Sequence, residues 1–327
     1  MRKPGLKIFR LCVGIVACLN LSVLDSPAQD YPVRPIRMLV GFTVGGVGDI
    51  TARLIAQKLS EPLGQHVVVE NRGGASGAIA TERVAASTAD GYTLLLMTAA
   101  ETVILALRTR LPYKLERDLA PVSLVAIAPF VLVIPQSVPA HTVKELIALA
   151  RSQPGKLSYG SVGAGSTPHL AGELLKSMAG VRIVHVPYKG GGESVIATAS
   201  GQVDIGFHSA TAALPLVEAG KLRALGVTSA KRASFLPSIP TIAESGLPGF
   251  DRSSWNGVLA PAGVPRNIIA RLNAAIGKVV NTVEMKESFK REGLEPQTNT
   301  PEQFAAFIQG ELEKNSKLIK SIGLKAE

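Results

Sequence analysis

The chain has 327 residues, 46% of them hydrophobic and 18% charged, a composition without the signature of disorder that suffices for two ordinary domains of roughly 100 to 200 residues each. Its formal charge is +10, a field suited to an anionic ligand or an anionic surface. The basic residues are scattered and aromatics are only 5%, so a nucleic-acid partner is excluded.

Arg2, Lys3, Lys7 and Arg10 precede an apolar stretch at residues 11–24, and Ser26-Pro27-Ala28 follows with small residues. This order predicts a secretory signal peptide over residues 1–28, cut after Ala28, and hence a periplasmic chain. Asn20, Ser22 and Asp25 break the run, leaving it short of the roughly 20 apolar residues a membrane span needs. Cys12 and Cys18 both fall inside, so the mature chain is thiol-free and has no disulfide framework. Ile15-Val16-Ala17-Cys18 loosely resembles a lipoprotein signal, and a lipid anchor at Cys18 is the alternative. Removing residues 1–28 leaves 31 Lys+Arg against 24 Asp+Glu, a charge of +7.

From residue 36 onward, short apolar runs alternate with helical patterns, which predicts an α/β fold with parallel sheets. Residues 36–42 read as a strand, 49–63 as a helix stopped by Gly64, and 67–70 as the next strand. Residues 122–134 contain Pro129 and read as two extended pieces that carry the chain between domains. Val143, Leu146, Ile147 and Ala150 recur at helical spacing, as do Leu170, Leu174, Leu175 and Met178. A second break at residues 236–254 holds Pro237, Pro240, Gly246, Pro248 and Gly249, after which residues 255–260 are extended again. Two crossings predict a discontinuous first lobe, residues 29–126 plus 254–327, around a second lobe of residues 127–253. Ile268, Ile269, Leu272, Ile276 and Val280 mark one amphipathic helix near the C-terminus; Phe304, Phe307 and Ile308 mark the last.

Three glycine-rich segments stand where a strand passes to a helix: Gly41-Phe42-Thr43-Val44-Gly45-Gly46-Val47-Gly48-Asp49, Gly160-Ser161-Val162-Gly163-Ala164-Gly165-Ser166, and Lys189-Gly190-Gly191-Gly192. Glycine admits close backbone approach, and helix-start N–H groups favour an anion, so a carboxylate can be held without arginine. Ser166 or Thr167 is expected to cap the second helix, with Pro168 in its first turn. Asp49 either caps the first helix or meets a ligand, Asp204 either holds a loop or meets a ligand, and His169 either donates to a ligand or is a satisfied helix-start side chain. His185 is expected to bond backbone beside Pro187-Tyr188, and Trp255 to pack at the domain junction.

Gly41 and Gly46 have phosphate-loop spacing, but Val47-Gly48 replaces the Lys-Ser/Thr pair, and no G-x-G-x-x-G is present. No Gly-Ser pair forms a G-x-S-x-G elbow. The five histidines lack metal-ligand spacing. Neither a catalytic centre, a metal nor a cofactor is expected. A hydrolase using Ser161 or Ser166 with His169 is the competing class.

Read together, Arg34-Pro35-Ile36, Gly45-Gly46 with Asp49, Val69-Glu70-Asn71, Asp90-Gly91-Tyr92-Thr93, Asp118-Leu119-Ala120-Pro121, Pro154-Gly155-Lys156-Leu157, His169-Leu170-Ala171-Gly172-Glu173, His185-Val186-Pro187-Tyr188-Lys189-Gly190, Gly246-Leu247-Pro248-Gly249-Phe250 and Thr300-Pro301-Glu302-Gln303-Phe304 resemble the Bug family. These are the extracytoplasmic solute receptors of tripartite tricarboxylate transporters. The resemblance runs nearly the length of the chain. It implies a bilobal periplasmic-binding-protein fold of the type II-like flytrap kind, a small carboxylate ligand held by loop backbones and bridging waters, a membrane permease as partner, or a sensory partner instead, and a monomer. Carried over by position, the ligand contacts are Phe42, Thr43, Val44, Gly45, Gly46, Asp49, Thr98 and Ala99 in the first lobe, and Ser161, Gly163, Gly165, Ser166, His169 and Asp204 in the second. Gly41 and Gly73 stand where the family commonly has proline, and Thr43-Val44 replaces a smaller or Pro-Ala pair.

Overall fold

In the computed structural model, which describes residues 31–107 and 111–324, the expected signal segment with Cys12 and Cys18 lies outside the described residues. β1 (Ile36–Val40) buries every side chain but Arg37, as a strand covered on both faces must. α1 (Val47–Leu63) follows and ends where Gly64 turns left-handed at φ 70°, a position that suits glycine. The helix starts two residues before the predicted Asp49, because Asp49 sits in its first turn and bonds back into the loop instead of capping from outside.

The first lobe continues through β2 (Val67–Asn71), α2 (Ala78–Ala85), β3 (Thr93–Thr98), α3 (Ala99–Leu107), α4 (Leu115–Asp118) and β4 (Leu119–Ala128). β1 lies parallel to both β2 and β3, with Ile36 opposite Val67 and Arg37 opposite Thr93. The second lobe runs β5 (Phe130–Pro135), α5 (Val143–Ser152), β6 (Ser158–Ser161), α6 (Thr167–Ala179), β7 (Val184–Pro187), α7 (Gly191–Ala199), β8 (Ile205–Ser209), α8 (Ala210–Glu218) and β9 (Leu222–Val227). The chain then returns with β10 (Ser254–Pro261), α9 (Arg266–Val280), α10 (Val283–Arg291), β11 (Glu295–Pro296) and α11 (Pro301–Ile322).

Among the described residues the strands form a six-stranded sheet in the order β11-β4-β10-β3-β1-β2 and a five-stranded sheet in the order β7-β6-β8-β5-β9. β10 inserts antiparallel between β3 and β4. Only Pro129 separates β4 of the first sheet from β5 of the second; without an amide donor it cannot continue a ladder. The outward and return crossings are tied to each other. Phe130 N–H donates to Thr228 Oγ1 at 2.9 Å, Thr228 N–H to Phe130 O at 2.9 Å, and Arg252 N–H to Thr228 O at 2.8 Å.

Each sheet has its own apolar core, built on Leu39, Leu95, Leu124 and Leu259 in the first lobe and on Leu132, Leu146, Phe207 and Phe250 in the second. A smaller cluster joins them, in which Val103 of α3 meets Leu170 of α6 and Leu318 and Ile319 of α11. Trp255 pairs with Ile127 beside the outward crossing and packs edge-on against Phe304 at 5.8 Å and Phe307 at 5.4 Å between ring centroids. α11 is held over this core by a capping box between Thr300 and Gln303.

Gly257 of β10 leaves room for Phe304, whose ring occupies the place a β-carbon would take. Gly257→Ala is therefore expected to lower stability by about 1 to 3 kcal/mol in urea titration. Phe304→Leu in the same chain should recover part of that loss, because neighbours in contact do not act additively.

Candidate functional site

β1, β3 and β6 all end on glycine-rich or small-residue turns that start helices. Beyond β1, Phe42 and Gly46 are half-buried while Thr43, Val44 and Gly45 are exposed, Val44 at 70%. The loop is shaped from below. A β-carbon on Gly41 would stand 2.5 Å from the Gly77 α-carbon, and Asn71, at the end of β2, donates to Phe42 O at 3.0 Å and to Asp49 Oδ1 at 2.9 Å.

Asp49 is enclosed by its own loop. It is 2% exposed; Oδ2 accepts from Gly45 N–H at 2.9 Å and Arg53 Nε at 3.1 Å. Burial works against its ionised form, but the bonds from Arg53, Gly45 and Asn71 outweigh that and hold its pKa below the usual carboxylate value. Asp49 fixes the loop.

Thr98 and Ala99, the junction of β3 and α3, are also buried, at 6% and 1% exposure. Thr98 donates twice to Glu101 Oε2, from N–H at 3.0 Å and from Oγ1 at 2.6 Å. Glu101 was not anticipated, although Thr98-Ala99-Ala100-Glu101 has the T-x-x-E spacing of a capping box. Its Oε1 has no partner among the described residues, and the carboxyl lies against Gly77, where a β-carbon would come within 2.7 Å. Burial pushes its pKa up to about 7, with the Thr98 bonds pulling the other way.

On the second lobe, Ser166 caps α6, accepting from His169 N–H at 3.4 Å and donating from Oγ to Gly163 O at 2.7 Å. Ser161, 1% exposed, accepts from Gly163 N–H at 3.1 Å and pairs with His185 Nε2 at 2.6 Å. His185 thus bonds Ser161. His169 Nδ1 accepts from Gly165 N–H at 3.1 Å, so Nδ1 is unprotonated and the ring proton sits on Nε2, 4.0 Å from Glu173 Oε1. Tyr159 and Lys176 each donate to that same oxygen at 2.7 Å. The His169 and His185 rings lie 4.2 Å apart. Burial, reinforced by His185, drives the His169 pKa down to about 4, and burial lowers that of His185, so this wall carries no imidazolium near neutral pH.

Asp204 stands apart from these loops. Its Oδ2 accepts from Ser158 N–H at 2.8 Å and Ser158 Oγ at 3.1 Å, at the starting ends of the parallel strands β6 and β8, whereas Ser161 and its loop lie at the finishing end of β6. Asp204 ties two strand starts together.

α3 lies between the second-lobe loop and the segment under the first loop. A β-carbon on Gly165 would be 3.6 Å from Val103 and 3.8 Å from Leu107, so the second-lobe loop rests against the helix that Thr98 and Ala99 begin, and Glu101 of that helix touches Gly77 under the first loop. None of the grouped candidates is Lys or Arg, and the nearby Arg53 is engaged with Asp49 and Asn71. Positive potential comes from the starts of α1, α3 and α6, whose first-turn N–H groups have no intrahelical partner.

His169 and Glu101 give opposite pH dependences. His169 is held below its unfolded value of 6.5, so its contribution to stability is full above 6.5 and declines as pH falls toward 4. Glu101 is held above its unfolded value of 4.5, so its contribution is full below 4.5 and is lost as pH rises through 7. Glu101→Gln should consequently gain on the wild type by on the order of 2 to 3 kcal/mol between pH 4 and pH 8. Urea titrations across that range measure the difference, and a constant offset at every pH would contradict the assignment.

Comparison with known proteins accords with this geometry. The model of the tripartite tricarboxylate transporter family receptor, TctC, matches residues 51–324. A UPF0065 protein from the tcbD-tcbE intergenic region of a Pseudomonas species is 40% identical over 319 residues, spanning 97% of this chain and 95% of its own length. Protein BugT of Bordetella pertussis is 39% identical over 320 residues, spanning 97% and 96%. The solved structure of R. palustris Rpa4515 with adipate is 39% identical and superposes with a TM-score of 0.76 over 90% of this chain and 99% of its own. With two lobes, glycine-rich strand ends and matches along nearly its whole length, the chain belongs to the tripartite tricarboxylate transporter receptor family.

Proposed function

We propose that this protein is a periplasmic solute receptor that captures a small carboxylate between its lobes and delivers it to a tripartite tricarboxylate-type membrane permease. The observation that carries the reading is the convergence of helix starts and small-residue loops with no lysine or arginine in the grouped set. Such an arrangement favours one modest negative charge held by amides and water over a bidentate arginine clamp. The relative solved with adipate supports a carboxylate as the ligand class.

In this reading the first lobe is residues 29–126 plus 254–327 and the second is residues 127–253. Phe42, Thr43, Val44 and Gly46 receive the ligand, and Gly163, Ser166 and the first turn of α6 complete its hydrogen bonds as the lobes close. The amides of Gly45, Gly163 and Gly165 already donate to Asp49, Ser161 and His169, so these glycines shape the wall while their neighbours and bridging waters meet the ligand. Closure about the two tied crossings then presents a changed surface to the permease.

A thermal-melt screen against adipate, other small carboxylates and their neutral amides tests this. A ligand at a hundred times its Kd adds about 2.7 kcal/mol to stability, a rise of several degrees, and a flat response to every acid would count against carboxylate capture. Gly46 has φ −76°, so Gly46→Val introduces bulk without backbone strain. That variant should fold normally and bind the same acid at least tenfold more weakly; unchanged affinity would remove this loop from the site.

A further inference from the structure

After β2 the chain runs through Gly74, Ala75, Ser76 and Gly77 in unbroken left-handed backbone, with φ of 131°, 47°, 53° and 91°. Glycine adopts such angles freely, whereas a residue with a β-carbon is strained there. Ala75 and Ser76 are the two non-glycine residues with positive φ among the described residues. Strain of this kind persists only where the surroundings impose it, and it gathers at functional sites. Here the surroundings are close on every side. Gly77 N–H donates to Gly74 O at 3.1 Å and Ala78 N–H donates to Ala75 O. A β-carbon on Gly74 would come within 2.5 Å of Ile79, and one on Gly77 within 2.7 Å of Glu101.

This turn stands at the same edge as the first-lobe candidates. β1 lies between β2 and β3 and is parallel to both, so the three strands finish at one edge of the sheet, the edge beyond which ligands gather in open α/β sheets. The turns after β1 and β3 hold Phe42 to Gly46 and Thr98 to Ala99; the turn after β2 touches both. A β-carbon on Gly73 would lie 3.8 Å from the backbone of Phe42 and of Thr43, one on Gly41 would lie 2.5 Å from the Gly77 α-carbon, and Glu101, against Gly77, is in the first turn of α3. Ser76 is exposed, and none of the hydrogen bonds that hold the turn uses its hydroxyl.

We infer that Ser76 is a specificity-determining residue of the strand-end site, its hydroxyl donating to an oxygen of the bound carboxylate; this rests on the reading of the protein as a carboxylate receptor. Glycine at position 76 would relieve the strain, so the fold holds a side chain there against its own backbone preference, and the one polar group that side chain adds is a donor. A hydroxyl aimed at an ionised oxygen makes a charge-assisted bond, stronger than the same bond to a neutral carbonyl. Ser76 therefore favours an acid over its amide where no lysine or arginine does so. Ala75 adds only a methyl, which restricts the backbone between Gly74 and Ser76 and stiffens the turn that carries the hydroxyl.

Calorimetric titration with adipate, succinate and benzoate, each beside its amide, tests the assignment on the wild type, Ser76→Ala and Ser76→Gly, with a urea titration of each protein. Ser76→Ala keeps the strained backbone and removes the hydroxyl alone; Ser76→Gly removes both. Each variant should bind the preferred acid about tenfold more weakly and lose much less affinity for the amide, while Ser76→Gly stays at least as stable as the wild type. A side chain that served only the fold would give the opposite pattern, a less stable glycine variant with unchanged affinity and unchanged preference for the acid. Equal binding of the acid by all three proteins would overturn the role of Ser76 and leave carboxylate capture standing. Failure of the wild type to bind any of the three acids would overturn carboxylate capture itself, and the role of Ser76 with it.

Discussion

Backbone amides at the finishing edge of a parallel strand have nowhere to donate, and the arrangement of both lobes follows from how this chain answers them. At four turns a side chain early in the next helix reaches back to a loop amide: Asp49 to Gly45, Glu101 to Thr98, His169 to Gly165 and Glu193 to Lys189. Each bond fixes the loop and at the same time satisfies a backbone donor. The loops are thereby set before any ligand arrives, which lowers the ordering entropy that binding must overcome.

The same device settles the electrostatics. Three of the four reaching groups are carboxylates, yet the second-lobe loop uses a histidine held neutral by burial. Asp49 is paired with Arg53, and burial pushes the Glu101 pKa up to about 7. The surface left for a ligand carries little formal charge of its own, so helix starts dominate at close range while the net basic charge of the chain acts at a distance.

Motion between the lobes is constrained by the crossings. Phe130, Thr228 and Arg252 join the outward and return segments by backbone bonds, and Trp255 anchors the return strand in the first core against α11. α11 also reaches α6 through Leu318 and Ile319. A rotation of one lobe on the other must slide this contact, so the buried Arg252 and Asn315 lie where such a movement is felt.

Local pattern in the sequence determined the α/β class, a strand beginning at residue 36, the stop at Gly64, a cap for α6 at Ser166 or Thr167, an extended run holding Pro129, and the glycine-rich turns between strand and helix, because each is a consequence of periodicity or of one residue's backbone freedom. The tertiary structure alone decided which polar groups face each other. Asp49 and Asp204 looked alike as lone acids near loops, but one is closed in by Arg53 and Asn71 and the other lies at the starting end of its strand, where it binds Ser158. The pairing of Ser161 with His185, 24 residues apart, and of Arg252 with Asn315, 63 apart, depends on the order of strands in the sheets and on the return of the chain to the first lobe. Spacing along a sequence carries contacts within a turn; strand order, which is set by the packing of whole cores, carries the rest.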